Sequence, residues 1–217
     1  MDKELHIEDI RTDYRLAALS EDQIDKDPIR QFEQWFEQAL HSKVIEVNAM
    51  TLATVDADGS PSARIVLLKD IENDAFVFYT NYNSQKAKEI AANPKVSLVF
   101  FWPDLQRQVR IKGTIEKVAS TNSETYFHSR PAGSQLGAWA SPQSDVIPNR
   151  DFLEQNLKEV SEKYKDQIVP KPPHWGGYKV IPFTMEFWQG RTNRLHDRIL
   201  YSKDVISGNW ITSRLAP

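Results

Sequence analysis

Not one cysteine occurs among the 217 residues. That excludes disulfides, thiolate metal sites, a catalytic thiol and a cysteinyl bond to any cofactor. No run of about 18 apolar residues occurs either, so no segment reads as a membrane span. The opening "MDKELHIEDIRTDYR" is charged and has no apolar stretch, unlike a signal peptide. An excess of positive charge is missing too: 27 Lys and Arg stand against 30 Asp and Glu, a net charge of −3. Such a balance argues against a general nucleic-acid binder, so any basic patch must be local. Repeats and low-complexity tracts are absent. The expectation is a soluble cytoplasmic protein with neither a nucleic-acid nor a membrane partner.

What is present is an ordinary globular mixture, 40% hydrophobic and 26% charged, with enough length to bury a sizeable core. Residues 1–26 are polar and read as a loosely held arm; 27–217 read as one domain. "DPIRQFEQWFEQAL" places Asp27 as N-cap and Pro28 at the first helical position. Ile29, Phe32, Trp35, Phe36 and Leu40 recur at helical spacing and predict one core-facing side. From Met50 the period shortens to two. "MTLATVDADGSPSARIVLLKD" reads as strand, Asp58-Gly59 turn and strand. Further strands are predicted at 75–80, 95–102, 107–118 and in the last forty or so residues. Short helices are predicted near 84–94, 120–130, 134–140 and 149–167. Sequential, hairpin-linked strands with peripheral helices predict an antiparallel barrel, mainly β with added helices.

Four stretches carry candidate chemistry. In "ARIVLLKD", alternation puts Arg64, Val66 and Leu68 on one face and Ile65, Leu67 and Lys69 on the other. Two cations bracket an apolar strand, which is unusual inside a core, although both equally suit the exposed ends of a buried strand. In "YTNYNSQKAKE", the hydroxyls of Thr80 and Ser84, Lys86 and the start of a helix make a phosphate cradle or an ordinary capped helix. "YFHSRPAGSQLGAW" brings Tyr126, Arg130 and Ser134 together before a helix, a second set suited to a phosphate. His128 has no second histidine at ligand spacing, so no metal is expected. "WQGRTNRLHDRILY" crowds three arginines and a histidine into eight positions; on an extended segment Arg194, His196 and Arg198 would share a face able to meet a planar anion.

Taken in order, "RIVLLK", "FYTN", "RQVRIKG", "YFHSRP", "SQLGAW", "WGGY", "EFWQG" and "RLHDR" resemble the pyridoxamine (pyridoxine) 5′-phosphate oxidase family over nearly the whole chain. The resemblance implies an FMN-binding split β-barrel, working as a homodimer with flavin mononucleotide (FMN) at the interface. It implies oxidation of phosphorylated B6 vitamers by molecular oxygen, releasing hydrogen peroxide. Matching motifs assign Arg64, Ile65, Val66, Leu67, Leu68, Lys69, Tyr79, Thr80, Gln85, Lys86, Gln108, Gln143, Ser144, Trp188 and Arg198 to FMN. They assign Lys69, Tyr126, Arg130 and Ser134 to the substrate phosphate, and Arg194, Leu195 and His196 to its ring, with Arg194 and His196 catalytic. Arg11 and Tyr14 match a segment that closes over the substrate. Two phosphates of about −1.5 to −2 charge each call for several fixed cations, and bidentate arginine suits them.

One position departs: the family has Ser-Arg-Lys where this chain has Ser84-Gln85-Lys86. Losing a charge-assisted bond worth roughly 1.5–3 kcal/mol implies weaker FMN binding. Two other readings are a split-barrel flavin reductase, which needs no second phosphate site, and a non-enzymatic carrier of FMN or pyridoxal phosphate. An oligonucleotide-binding barrel fits the β content but lacks a basic and aromatic strip along one sheet face.

Overall fold

Asp27 and Pro28 start the first helix as their chemistry dictates. In the computed structural model, which describes residue 7 and residues 12–217, Asp27 Oδ1 accepts from the Ile29 N–H at 2.9 Å. The helix α1 spans Pro28–His41 and buries Ile29, Phe32, Trp35 and Ala39. Leu40, expected on the buried side, is 52% exposed. The inward stripe runs 28, 32, 35 and 39, so Ala39 takes the place one turn beyond Trp35.

The strands follow: β1 Ala49–Val55, β2 Pro61–Leu67, β3 Asp70–Glu72 and β4 Ala75–Asn81. Next come α2 Gln85–Ala92, β5 Lys95–Trp102 and β6 Arg107–Lys117. Three helices, α3 Ser120–Ser129, α4 Ala132–Ala140 and α5 Arg150–Lys163, precede β7 Trp175–Gln189, β8 Asp197–Lys203 and β9 Trp210–Arg214. Among the described residues, the nine strands hydrogen-bond in the order β2-β1-β5-β6-β7-β4-β3, with β8 added to β7 and β9 to β8. The predicted hairpin forms in register Ala53↔Ala63 and Val55↔Pro61. Gly59 supplies its turn with φ +92°, a conformation that costs glycine little. Among the described residues, no helix is long and apolar enough to cross a membrane.

The chain packs as two compact units that interleave along the sequence. One contains Val99–Ile111, Phe183–Pro217 and the described residues up to Val47. Its core is aromatic: Phe32 meets Phe100 at 4.9 Å between centroids, and Trp35 meets Phe187 at 5.2 Å. The described part of the expected arm is held within this unit. Leu19 is buried; its N–H donates to Asp197 at 3.1 Å, and its carbonyl accepts from Arg214 at 3.1 Å. The Tyr201 hydroxyl donates to the Asp25 carbonyl at 2.8 Å.

The other unit, Asn48–Leu98 and Lys112–Pro182, carries the β1–β2 hairpin, α2 to α5 and the first half of β7. There β4 lies antiparallel to β7, with Tyr79 opposite Gly177 and Thr80 opposite Gly176. A Cβ at Gly176 would collide with the Tyr82 hydroxyl, and one at Gly177 would lie 2.8 Å from the Tyr79 ring. The "WGGY" glycines are therefore spaces that two tyrosine rings fill.

Candidate functional site

The second unit contains a cleft of about 660 Å³. Its floor begins where β2 changes partners. Through Leu67 the strand pairs with β1. The Leu68 N–H still donates to Asn48, at 2.8 Å, while the Lys69 N–H donates to Val77 on β4, also at 2.8 Å. Strict alternation would point Arg64 and Lys69 to opposite faces. Residues 64–67, consecutive along the strand, line the cleft together with Lys69, which lies past the strand end, so both cations reach the wall.

Of the residues expected to hold FMN, Arg64, Ile65, Val66, Leu67, Lys69, Tyr79, Thr80, Lys86 and Gln143 line this cleft. So do Tyr126, Arg130 and Ser134, expected at the substrate phosphate. Leu68, Gln85 and Ser144 are not in its lining: Leu68 is buried in the core, and Gln85 and Ser144 are exposed. Asn81, Ser141 and Trp175 line it without having been expected.

Two polar groups occupy the cleft. In the first, Lys86 Nζ and Thr80 Oγ1 both donate to Gln143 Oε1, each at 3.1 Å. Burial, then the nearby Arg64, lowers the Lys86 pKa from its ordinary value. Arg64 NH2 meets Glu89 at 2.8 Å, and its NH1 contacts Thr54 and the Leu52 carbonyl. The Ser84 hydroxyl joins this group from behind: fully buried, it accepts from Lys86 Nζ at 3.4 Å and donates to the Asn81 carbonyl at 2.7 Å.

In the second group the wall is aromatic. Tyr79 and Tyr126 stack at 3.9 Å and 15°, and Tyr79 and Trp175 at 5.6 Å and 10°. Arg130 lies 4.6 Å above the Trp175 ring. Its buried NH1 has no hydrogen-bond partner, which marks a donor prepared for an acceptor. Burial lowers the Arg130 pKa, and burial with the nearby Asp70 pushes the Tyr79 phenol up to about 12. Both groups therefore present neutral hydroxyls and cations, a donor set suited to phosphate oxygens. Trp175, in "WGGY", cushions Arg130 across 45 residues of sequence, a contact that no local pattern expresses.

The remaining expected residues belong to the first unit. Tyr14 meets Trp188 edge-on at 5.7 Å, and His196 lies 4.6 Å from Trp188. The Arg191 N–H donates to His196 Nδ1 at 3.1 Å. A neutral imidazole accepting at Nδ1 carries its proton on Nε2. Burial, then Arg194, lowers the His196 pKa and favours that neutral form. The expectation of one extended face for Arg194, His196 and Arg198 fails. Thr192–Arg194 is a 3-10 turn with Asn193 at φ 55° and Arg194 at φ 61°, and β8 starts only at Asp197. Left-handed backbone at non-glycine residues costs about 1–2 kcal/mol each and tends to mark functional loops. Arg198 sits opposite Trp188 in the β7–β8 register, bonded to Glu186 at 2.8 Å and to the Ala216 carbonyl at 2.8 Å. Gln108 is half-buried on β6, and Leu195 is 68% exposed. Arg11 lies outside the described residues.

An antiparallel split-barrel sheet beside a cleft lined by cations and hydroxyls defines the class of the FMN-binding split barrels. The family model described as pyridoxamine 5′-phosphate oxidase matches residues 36–164, and that of the pyridoxine 5′-phosphate oxidase C-terminal dimerisation region matches 175–217. A pyridoxine/pyridoxamine 5′-phosphate oxidase of Trichormus variabilis is 55% identical over 97% of this chain and 98% of its own. The protein of that name from Ralstonia pickettii is 54% identical over 97% and 99%. Among solved structures, PhzG of Burkholderia lata, in complex with tetrahydrophenazine-1-carboxylic acid, matches with a TM-score of 0.85 at 28% identity, covering 90% of this chain and 95% of its own. The chain belongs to the pyridoxamine 5′-phosphate oxidase family.

Proposed function

We propose that the protein oxidises pyridoxamine 5′-phosphate and pyridoxine 5′-phosphate to pyridoxal 5′-phosphate in the cytoplasm. Molecular oxygen is the final acceptor, hydrogen peroxide is released, and the amine substrate also yields ammonia. The observation that carries this reading is one cleft with two phosphate-suited groups, Arg64, Thr80 and Lys86 in one and Lys69, Tyr126, Arg130 and Ser134 in the other. FMN fits the first, where two cations lie close enough to lower the Lys86 pKa and hydroxyl and amide groups surround them. When bound, FMN supplies the two-electron acceptor for the hydride that leaves substrate C4′.

The protein's own groups bind and orient. Arg64, Thr80, Lys86 and Gln143 hold the cofactor's phosphate. Lys69, Tyr126 and Ser134 hold the substrate's phosphate together with Arg130, whose unpartnered NH1 gains an acceptor there. Arg194 orients the substrate ring and stabilises developing negative charge. His196 presents Nε2–H as a donor to the substrate heteroatom; the Arg191 N–H on Nδ1 supports this over a base role. Gln108, Trp188 and Arg198 complete the flavin contacts, and Arg11 and Tyr14 belong to a segment that closes over the substrate. The assembly we propose is a homodimer with FMN at its interface, contacted by both chains. A flavin reductase would leave the Arg130 donor without a purpose, whereas a carrier of pyridoxal phosphate would use it and is told apart by turnover.

Purified protein supplied with pyridoxamine 5′-phosphate in air tests this. The expected result is a yellow protein that releases peroxide and pyridoxal 5′-phosphate. A colourless protein that takes up no FMN overturns the reading; a yellow one that yields no peroxide is a carrier.

A further inference from the structure

Glu89 is a buried carboxylate that the catalytic reading leaves unused. It projects from α2 and is 2% exposed. Burying a carboxylate is costly unless donors surround it. The hairpin supplies them. Its register sets Thr54 opposite Ser62 and Leu52 opposite Arg64. Thr54 Oγ1 and Ser62 Oγ donate to Glu89, the latter at 3.1 Å, and Arg64 NH2 donates at 2.8 Å. Burial alone would raise the carboxyl pKa, but these hydrogen bonds outweigh it and keep it below the ordinary value.

The consequence falls on Arg64. A guanidinium has five N–H donors in a fixed fork. Here NH2 meets Glu89 while NH1 meets Thr54 and the Leu52 carbonyl, so the fork is clamped from the hairpin side. Arg64 nevertheless lines the cleft. A long, flexible cation has become a fixed one, with donors to spare.

We propose that Glu89 is a positioning residue: it clamps the Arg64 guanidinium at the cleft wall and thereby sets the protein's preference for phosphorylated over unphosphorylated flavin. This rests on the reading that FMN occupies the cleft. Two effects oppose each other when the carboxylate is neutralised. Positive charge near the phosphate rises, which favours binding. The Glu89→Gln amide, however, keeps one acceptor oxygen and turns its other arm into a donor, so it no longer accepts from Arg64, Thr54 and Ser62 together and its bond to the guanidinium loses charge assistance, which loosens the fork. Charge-assisted geometry is the stronger effect in a half-buried site, so the loss dominates.

Wild-type protein stripped of flavin is titrated with FMN and with riboflavin, following the quenching of flavin fluorescence, beside Glu89→Gln and Glu89→Asp. Thermal melts of each flavin-free protein report folding. Wild type is expected to prefer FMN strongly. In Glu89→Gln, FMN binding weakens about tenfold to a hundredfold while riboflavin binding stays within about twofold. Glu89→Asp keeps the charge but falls one methylene short of Arg64, and the preference drops by a smaller factor. If Glu89→Gln does not fold, Glu89→Asp decides. A folded variant with the wild-type preference intact overturns the proposal alone. Wild type that takes up neither flavin overturns the functional reading and this inference with it.

Discussion

The two cation groups of the cleft are built on opposite principles. Around Arg64 the partners are fixed: a carboxylate, a hydroxyl and a carbonyl clamp the guanidinium from behind. Around Arg130 the support is an aromatic face, and one buried N–H has nothing to bond. A fully braced cation costs nothing more to organise when an anion arrives, which suits a tenant that stays. A donor left open is destabilising by about 1–3 kcal/mol until an acceptor comes, so part of the ligand's binding energy relieves a deficit already present. That arrangement suits a molecule that arrives and departs at every turnover. On the proposed reading, the resident cofactor and the visiting substrate are told apart by what stands behind each arginine.

The largest blow to this comparison would come at Arg130. Arg130→Gln is expected to lower kcat/KM for pyridoxamine 5′-phosphate about a hundredfold, mainly through KM, with FMN affinity within about twofold. Steady-state kinetics at saturating FMN and flavin titration check the two halves, and equal losses in both would erase the distinction. Trp175 sharpens it. Trp175→Ala removes the cushion and should raise KM about tenfold, whereas Trp175→Phe, which keeps a ring, should raise it about threefold.

The loop cluster yields a pH test. Burial and Arg194 lower the His196 pKa, so the imidazole stays neutral as pH falls to its ordinary value near 6.5 and takes a proton only in more acid solution. The acid limb of kcat/KM assigned to His196 should therefore lie below about 6.5 and vanish in His196→Asn, leaving only the limb of the substrate phosphate. Persistence of the same limb in the variant would detach it from His196. The smallest effect is at position 85. Gln85→Arg should tighten FMN a few-fold, within the factor that one exposed cation contributes, and calorimetry with FMN would read it.

Much of the site was legible because it is local. The Asp58-Gly59 turn and the clean alternation of Val109, Ile111, Gly113 and Ile115 announced strands, and the hydroxyl–cation clusters beside helix starts are the groups that the fold brings to one cleft. What escaped was tertiary. Glu89 sits in "QKAKEIAA", where a solvated acid is the natural reading, and nothing nearby says that a hairpin will fold over it. Alternation by itself set Lys69 against Arg64 unless the strand ended between them, and β2 does end at Leu67, after which Lys69 pairs with Val77. The same alternation misplaced Arg194 because two successive left-handed residues bend the loop before β8 begins. The Ser84 hydroxyl looked available until the fold turned it back on Asn81. The division of the chain into two interleaved units is likewise a property of strand pairing, which composition does not express.

The width of the cleft is governed by an atom that is not there. At Gly177 one added carbon would sit 2.7 Å from Val118 and 2.8 Å from the ring of Tyr79, the middle of the stack that reaches Tyr126 and Trp175. A methyl group there lies outside the cleft lining, yet it would press on the wall that Tyr79 forms. Specificity in this protein is thus exposed to change from behind, at a position that selects for emptiness rather than for any side chain.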